Sequence, residues 1–253
     1  MSERELQGRV ALVTGASRNI GRAIAVELAA GGAAIGVNAR SSQAESDRVA
    51  AEIASSGGEA LVALADVTDA AAVQGMVDAV MSRFGRIDIL INNAAVRREV
   101  PFADLDHAAW REVLDVCLDG AFHCAKACLA PLRVSGAGTI INIGGLTGST
   151  GASHRAHVVT AKAGLIGLTR ALAHELAGVG VTVNCVAPGL IDTERKASST
   201  TGDPLHHATH TTLLGRRGLP REVAAAVRWL AGPAGRFVTG QVIHVNGGAY
   251  LGS

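Results

Sequence analysis

What the sequence lacks narrows its chemistry first. Among its 253 residues no apolar run is long enough and free enough of charge to span a bilayer, and the polar opening MSERELQGRV has no apolar middle of the signal-peptide kind. A cytoplasmic chain with no membrane partner is the expectation. Lysine plus arginine, 23, nearly balance aspartate plus glutamate, 22, and the basic residues are scattered, which argues against a nucleic-acid surface and for a small-molecule partner. The four cysteines, Cys117, Cys124, Cys128 and Cys185, form neither a CxxC pair nor the His/Cys spacing of a zinc site, so free thiols are expected. Tyrosine occurs once, as Tyr250 near the carboxyl end.

What is present is an alternation of apolar runs and amphipathic segments. RVALVTG, AAIGVNA, EALVALAD, IDILINNA, GTIINIGG, VTVNCVAPG and QVIHVNGG read as strands, with helices between them near residues 20–30, 42–56, 69–84, 108–131, 156–178 and 220–231. Runs that scarcely alternate suit parallel strands covered on both faces and joined by right-handed helical crossovers. The fold class expected is α/β, a single Rossmann-type domain over residues 1–253 with a doubly wound parallel sheet. One irregular stretch, residues 190–220, is long for a connection and is expected to be a substrate flap. Its His206, His207, His210 and Asp203 could be imagined around a metal, but no HExxH pattern or cysteine partner joins them, and no metal is expected.

The strongest chemical signal is the first strand-to-helix turn, VTGASRNIGRAIA. Gly15 permits a tight turn, Gly21 lets the helix approach a dinucleotide, and the free N–H groups and dipole at the helix start suit a pyrophosphate. Ser17, Arg18, Asn19 and Ile20 lie between the two glycines. Where a site for NAD(H) commonly carries an acid for the ribose hydroxyls, the second strand ends in GVNARSS, with Asn38 and Arg40. Arg40, helped by Arg18, could instead bind a 2′-phosphate, which favours NADP(H) and leaves NAD(H) as the alternative; both arginines could also simply face solvent. Asp66 and Val67 end the third strand where an adenine edge could be read. Asn92, Asn93, Ala94 and Ala95 end the fourth, either beside the nucleoside or as fasteners of the strand ends.

Together TGASRNIG, DV, NNAA, the lone Lys162 in VVTAKAGLIGLTRALAHELAGVGVTVNCVAPGLIDT and the terminal VTGQVIHVNGG resemble the classical short-chain dehydrogenase/reductase family over nearly the whole chain. The resemblance implies a seven-stranded Rossmann-type sheet, a nicotinamide cofactor, a homodimer or homotetramer, and a catalytic Asn, Ser, Tyr and Lys. Lys162 takes the lysine position, which binds the nicotinamide ribose. Pro188, Gly189, Ile191 and Thr193 resemble the segment that contacts the carboxamide. The tyrosine position, four residues before Lys162, holds Val158; the serine position holds Gly145, or Gly144 if the register slips by one; the asparagine position holds Cys117.

A valine and a glycine have no side-chain proton, and a thiol is a weak donor, so the family's usual way of protonating a carbonyl oxygen is closed. His154 would share a face with Val158 and Lys162 if the helix started early; His157 is turned by about a quarter circle; Tyr250 could reach in from a neighbouring subunit. Two classes of function stay open. One is an atypical NADP(H)-dependent oxidoreductase, or a related non-redox enzyme, acting on a small organic molecule. The other is a catalytically inactive cofactor-binding sensor or subunit of a larger assembly.

Overall fold

The computed structural model describes residues 4–193 and 211–252. Its seven strands form one sheet: β1 (Val10–Val13), β2 (Ala34–Ala39), β3 (Ala60–Leu64), β4 (Ile89–Asn92), β5 (Thr139–Ile143), β6 (Thr182–Pro188) and β7 (Val242–Val245). All neighbours are parallel, in the order β3-β2-β1-β4-β5-β6-β7. The chain winds outward from β1 to β3, then returns to place β4 on the other side of β1. That reversal opens a crevice at the carboxyl ends of β1 and β4, the usual place for a ligand in such sheets.

Successive strand residues supply opposite faces, and both faces are apolar. Ala11, Val13, Ile35, Val37, Ile89, Ile91, Ile141 and Ile143 pack on one side, beneath α1 (Asn19–Ala30); Val10, Leu12, Leu90, Ile140 and Val183 pack on the other, beneath α3 (Ala70–Phe84). This two-sided burial is why the strands read as continuous apolar runs. Between α1 and α3, α2 (Gln43–Ser55) links β2 to β3. Helix α3 is set at both ends by local chemistry. Asp69 accepts from the Ala71 and Ala72 N–H groups at 2.9 and 3.1 Å, and Gly85 closes the other end at φ 76°.

The segment expected as one helix near 108–131 is helical but irregular. It comprises α4 (His107–Leu114), a π-helical turn at Asp115–Asp119, α5 (Gly120–Ala127) and α6 (Leu129–Val134). Gly120 explains part of the geometry, since a Cβ there would stand 2.7 Å from the Val67 side chain. A short α7 (Thr147–Thr150) precedes α8 (Ala156–Leu176), and α9 (Pro220–Ala231) packs against α1. A buried polar chain fixes α8 to the sheet: Asn92 donates to Asn142 at 2.8 Å, and Asn142 donates to Thr169 at 2.9 Å. In so dry a place each of these bonds is costly to lose, so α8 and its Lys162 are held at the end of β5.

Candidate functional site

The first half of the crevice is the β1–α1 turn. Gly15 has φ 60°, a left-handed conformation that favours glycine, and a Cβ at Gly21 would collide with the Gly15 carbonyl oxygen and with Asn93 Nδ2 at 2.5 Å. Asn93 Nδ2 donates to the Thr14 and Gly15 carbonyls at 2.9 and 3.0 Å, and Thr14 Oγ1 accepts from the Asn93 and Ala94 N–H groups at 2.9 and 3.0 Å. These are the bonds of a fastener that clamps the ends of β1 and β4 together. Asn38 is also a fastener: its amide donates to Ala63 and Ala65 carbonyls at 3.0 and 3.2 Å, and its oxygen accepts from Gly15 N–H at 3.4 Å. Arg18 and Arg40 are exposed, Asn19 has φ 51°, and α1 carries no acid in its first turn, so the positive end of the helix faces the crevice uncompensated by its own residues. Ile20 is buried under the helix, while Ser17 donates to Glu45 at 3.4 Å. Asp66 closes its own turn by accepting from Thr68, and Val67 presents its carbonyl to His123 at 3.0 Å.

The second half forms where α8 passes the ends of β5 and β6. Lys162 is 7% exposed, and its ammonium donates to the Ile143 carbonyl at 2.7 Å. Burial lowers its pKa below the ordinary lysine value; Arg97 and Arg155 push the same way, against the thiols of Cys117 and Cys185. Val158 and Cys117, both 2% exposed, lie in one apolar cluster with Val113, Leu114 and Ala161, flanked by Ala95, Val96 and Trp110. The Cys117 thiol is directed to the Val96 carbonyl at 3.6 Å. The two glycines differ sharply. A Cβ at Gly144 would stand 2.7 Å from Cys185 Sγ, whereas at Gly145 the nearest atom would be Lys162 Cγ at 3.8 Å. Only Gly145 has room for a side chain facing Lys162.

The histidines separate. Helix α8 does not start early: Ala156 is its first residue, and His154 stands outside it, exposed, at φ 60°, its carbonyl accepting from Val100 N–H at 2.7 Å. His154 therefore does not share the helical face of Val158 and Lys162. His157 is fully buried, and neither ring nitrogen has a hydrogen-bond partner. Burial lowers its pKa, with Arg155 and Arg98 adding to the effect and Glu112 opposing it. Tyr250 packs edge-on against His244 of its own chain, ring centroids 5.0 Å apart.

Around the flap, Gly189 is confined by Asn246, whose Cα would lie 2.7 Å from a Cβ, and the Pro188 carbonyl accepts from Leu146 N–H at 2.9 Å. Ile191 bridges to Gly218, and Thr193 is half-buried. Residues 194–210, with Asp203, His206, His207 and His210, lie outside the described residues. Among the described residues no group of three His, Cys, Asp or Glu side chains could hold a metal ion, and the four cysteines are free and buried.

A family profile described as Enoyl-(Acyl carrier protein) reductase matches residues 15–250. The 3-oxoacyl-[acyl-carrier-protein] reductase of Synechocystis is 41% identical over 97% of this chain and 98% of its own length. The chain belongs to the short-chain dehydrogenase/reductase family. Another relative, the 3-oxoacyl-[acyl-carrier-protein] reductase FabG of Staphylococcus aureus, is 39% identical over 95% of this chain and 98% of its own. Among solved structures, a dehydrogenase/reductase from Sinorhizobium meliloti superimposes with a TM-score of 0.90 at 35% identity, covering 98% of this chain and 97% of that one. A short-chain dehydrogenase from Burkholderia cenocepacia, solved in complex with NADP, gives 0.89 at 34% identity, covering 97% and 99%. Two cations that the sequence alone does not single out, Arg97 and Arg155, also lower the pKa of Lys162. The signal was present, because Arg155 stands where a helix usually takes Ser, Thr, Asp or Asn as its cap.

Proposed function

We propose that this chain binds NADP(H) and acts on a small organic molecule as an atypical oxidoreductase, or in a related non-redox reaction, without the hydroxyl-based proton donor of its family. The observation that carries this reading is Lys162: a buried ammonium, fixed by Ile143, beside a wall in which Val158 and Cys117 are packed together and Gly145 leaves space. The chain's own residues suit the cofactor. Gly15 and Gly21 leave the turn free of side chains, the start of α1 offers N–H groups and a positive dipole to a pyrophosphate, and Arg18 and Arg40 are exposed cations for a 2′-phosphate. Lys162 keeps donors beyond the one given to Ile143 for a ribose. When bound, NADP(H) supplies or accepts a hydride. Neither Val158 nor Gly145 can move a proton, and the Cys117 thiol is turned to Val96, so an oxygen that gains charge must draw its proton from another group or from water.

Lys162 is not a nucleophile in this arrangement. Its pKa is lowered, but it is buried and its ammonium is engaged, whereas direct attack on a substrate needs an exposed amine as well. A second reading, a cofactor-binding sensor or inactive subunit, is favoured by the dry packing of Val158 against Cys117, which presents no polar atom to a reacting oxygen. Titrating NADPH and NADH against wild type and Arg40→Ala tests the cofactor; a panel of ketones and alcohols, repeated with His157→Phe, tests the chemistry. NADPH should bind more tightly, and Arg40→Ala should erase about tenfold to a hundredfold of that preference. Equal affinities that the substitution leaves alone would overturn the cofactor assignment, and rapid turnover of simple ketones would overturn the loss of the proton donor. Firm NADPH binding with no turnover across the panel would decide for the sensor.

A further inference from the structure

We propose that His157 is an acid-sensitive latch on the start of α8: as a neutral ring it stays sealed in the first turn of the helix, and once protonated it must leave for water and take that turn with it. The inference goes beyond the proposed function and does not depend on it.

Tertiary contact, rather than a cap, holds this helix start. Helices commonly close their first turn with a side-chain cap, but α8 has no such bond at Arg155. Instead Val158 packs among Val113 and Leu114 of α4 with Val96 against it, and the Val100 N–H donates to the His154 carbonyl at 2.7 Å. His157 lies in the same turn, is 0% exposed, and has no hydrogen bond to either ring nitrogen. Among the described residues no other histidine combines these traits: a ring nitrogen of His123 meets the Val67 carbonyl at 3.0 Å, His244 is half-buried, and His107, His154 and His174 are exposed. A neutral imidazole tolerates such a place. An imidazolium carries a charge and two N–H donors, and the site gives the ring neither an acceptor nor contact with bulk water. The charged groups that act on the ring do not offset this. Burial is the first cause that lowers its pKa, Arg155 of α8 and Arg98 of the loop after β4 add to it, and Glu112 of α4, which opposes them, already accepts from Arg98 at 2.9 Å. A folded-state pKa below the unfolded one means that the penalty is absent well above about pH 6.5 and grows as pH falls below it. Acid therefore favours the open form, in which the ring reaches water and the turn carrying Val158 lifts from α4 and Val96, one helical turn from Lys162.

The test is hydrogen exchange of the amides in the first turn of α8, read by mass spectrometry on the full chain at pH 7.5 and pH 5.5 and corrected for the intrinsic pH dependence of exchange. With an exposed imidazole pKa of about 6.5, the opening constant of that turn should rise about five- to tenfold between the two conditions. His157→Leu and His157→Gln both remove the titrating ring, the second while keeping a polar side chain. Each should abolish the rise, while amides of β4 and β5 exchange as in wild type. Where neither variant folds, the wild-type ring decides: its C2–H proton resonance in the folded protein should titrate below the value of about 6.5 of a free imidazole. A wild-type turn whose opening does not change with pH, a rise that either variant retains, or a His157 resonance that titrates like a free imidazole overturns the proposal.

Discussion

On the function proposed above, placing hydroxyls at positions 145 and 158 should turn this chain toward ordinary carbonyl reduction, and the cost of doing so follows from the structure. At Gly145 the backbone is not in the left-handed region, and a new Cβ meets nothing nearer than Lys162 Cγ at 3.8 Å, so Gly145→Ser is nearly free. Val158→Tyr is harder. Val158 is 2% exposed and touches the cluster of Val113, Leu114, Cys117 and Ala161, so a phenol ring overpacks it by about 1–3 kcal/mol. A domain of ordinary stability survives that loss, with a Tm lower by roughly 2–4 °C per kcal/mol. Against this, a placed acid contributes about 10²–10⁴ in rate and an oxyanion donor about 10²–10³, and the two act as one unit, so the gains do not simply multiply. The double variant should therefore reduce a β-keto ester such as ethyl acetoacetate at least about a hundredfold faster than wild type, followed by NADPH oxidation. Thermal unfolding and NADPH titration confirm that the variant is folded and loaded. A folded, NADPH-binding double variant with no gain in rate would refute the assignment of positions 145 and 158 and the view that only the proton path has been lost.

Three further outcomes follow from single observations. Lys162→Met should weaken NADPH binding about tenfold or more while leaving the fold as stable or more so, because it removes a buried cation. Burial holds the folded-state pKa of Lys162 below its unfolded value, so wild-type stability should climb with pH between the two, a climb that the methionine variant lacks; identical alkaline profiles would contradict this. Asp88 is fully buried, which alone would raise its pKa, but bonds from Arg86, Ser135 and the Val10 N–H hold it below the usual carboxylate value. Its contribution is present above the unfolded aspartate pKa and lost as pH falls through the folded value, so Asp88→Asn should cost about 2 kcal/mol near neutrality in urea unfolding and flatten the acid slope; an unchanged slope would be inconsistent. The fully exposed Phe237, the exposed Leu251 and the half-buried edge strand β7 point to self-association, and light scattering across a dilution series should find a dimer or tetramer rather than monomer alone.

Much of the fold was legible because its constraints are local or periodic. Seven apolar runs became seven parallel strands, since burial on both faces leaves no polar alternation to confuse the pattern. The turn from Gly15 to Gly21 was equally readable, because one glycine is fixed by φ and the other by the absence of room for a Cβ. The region 108–131 is helical as its periodicity predicts, but its irregularity has a tertiary origin. Its π-helical turn at Asp115–Asp119 and the close pass of Gly120 over Val67 depend on a neighbouring strand, and helical periodicity carries no trace of either. His154 failed as a helical neighbour of Lys162 for a similar reason: its left-handed backbone and the bond from Val100 turn the chain before the helix begins.

The surroundings of Lys162 show why residue identities taken one at a time are a poor guide to a site. Read singly, Val158 and Cys117 are an apolar and a weakly polar residue at positions that the family resemblance gives to a tyrosine and an asparagine. In three dimensions both sit in the same small cluster, each 2% exposed, with the thiol directed to a backbone carbonyl, so neither position leaves a buried polar group unpartnered. A polar side chain at either position would have to find its partner outside that cluster. Gly145 stands apart from this cluster, with open space in front of Lys162.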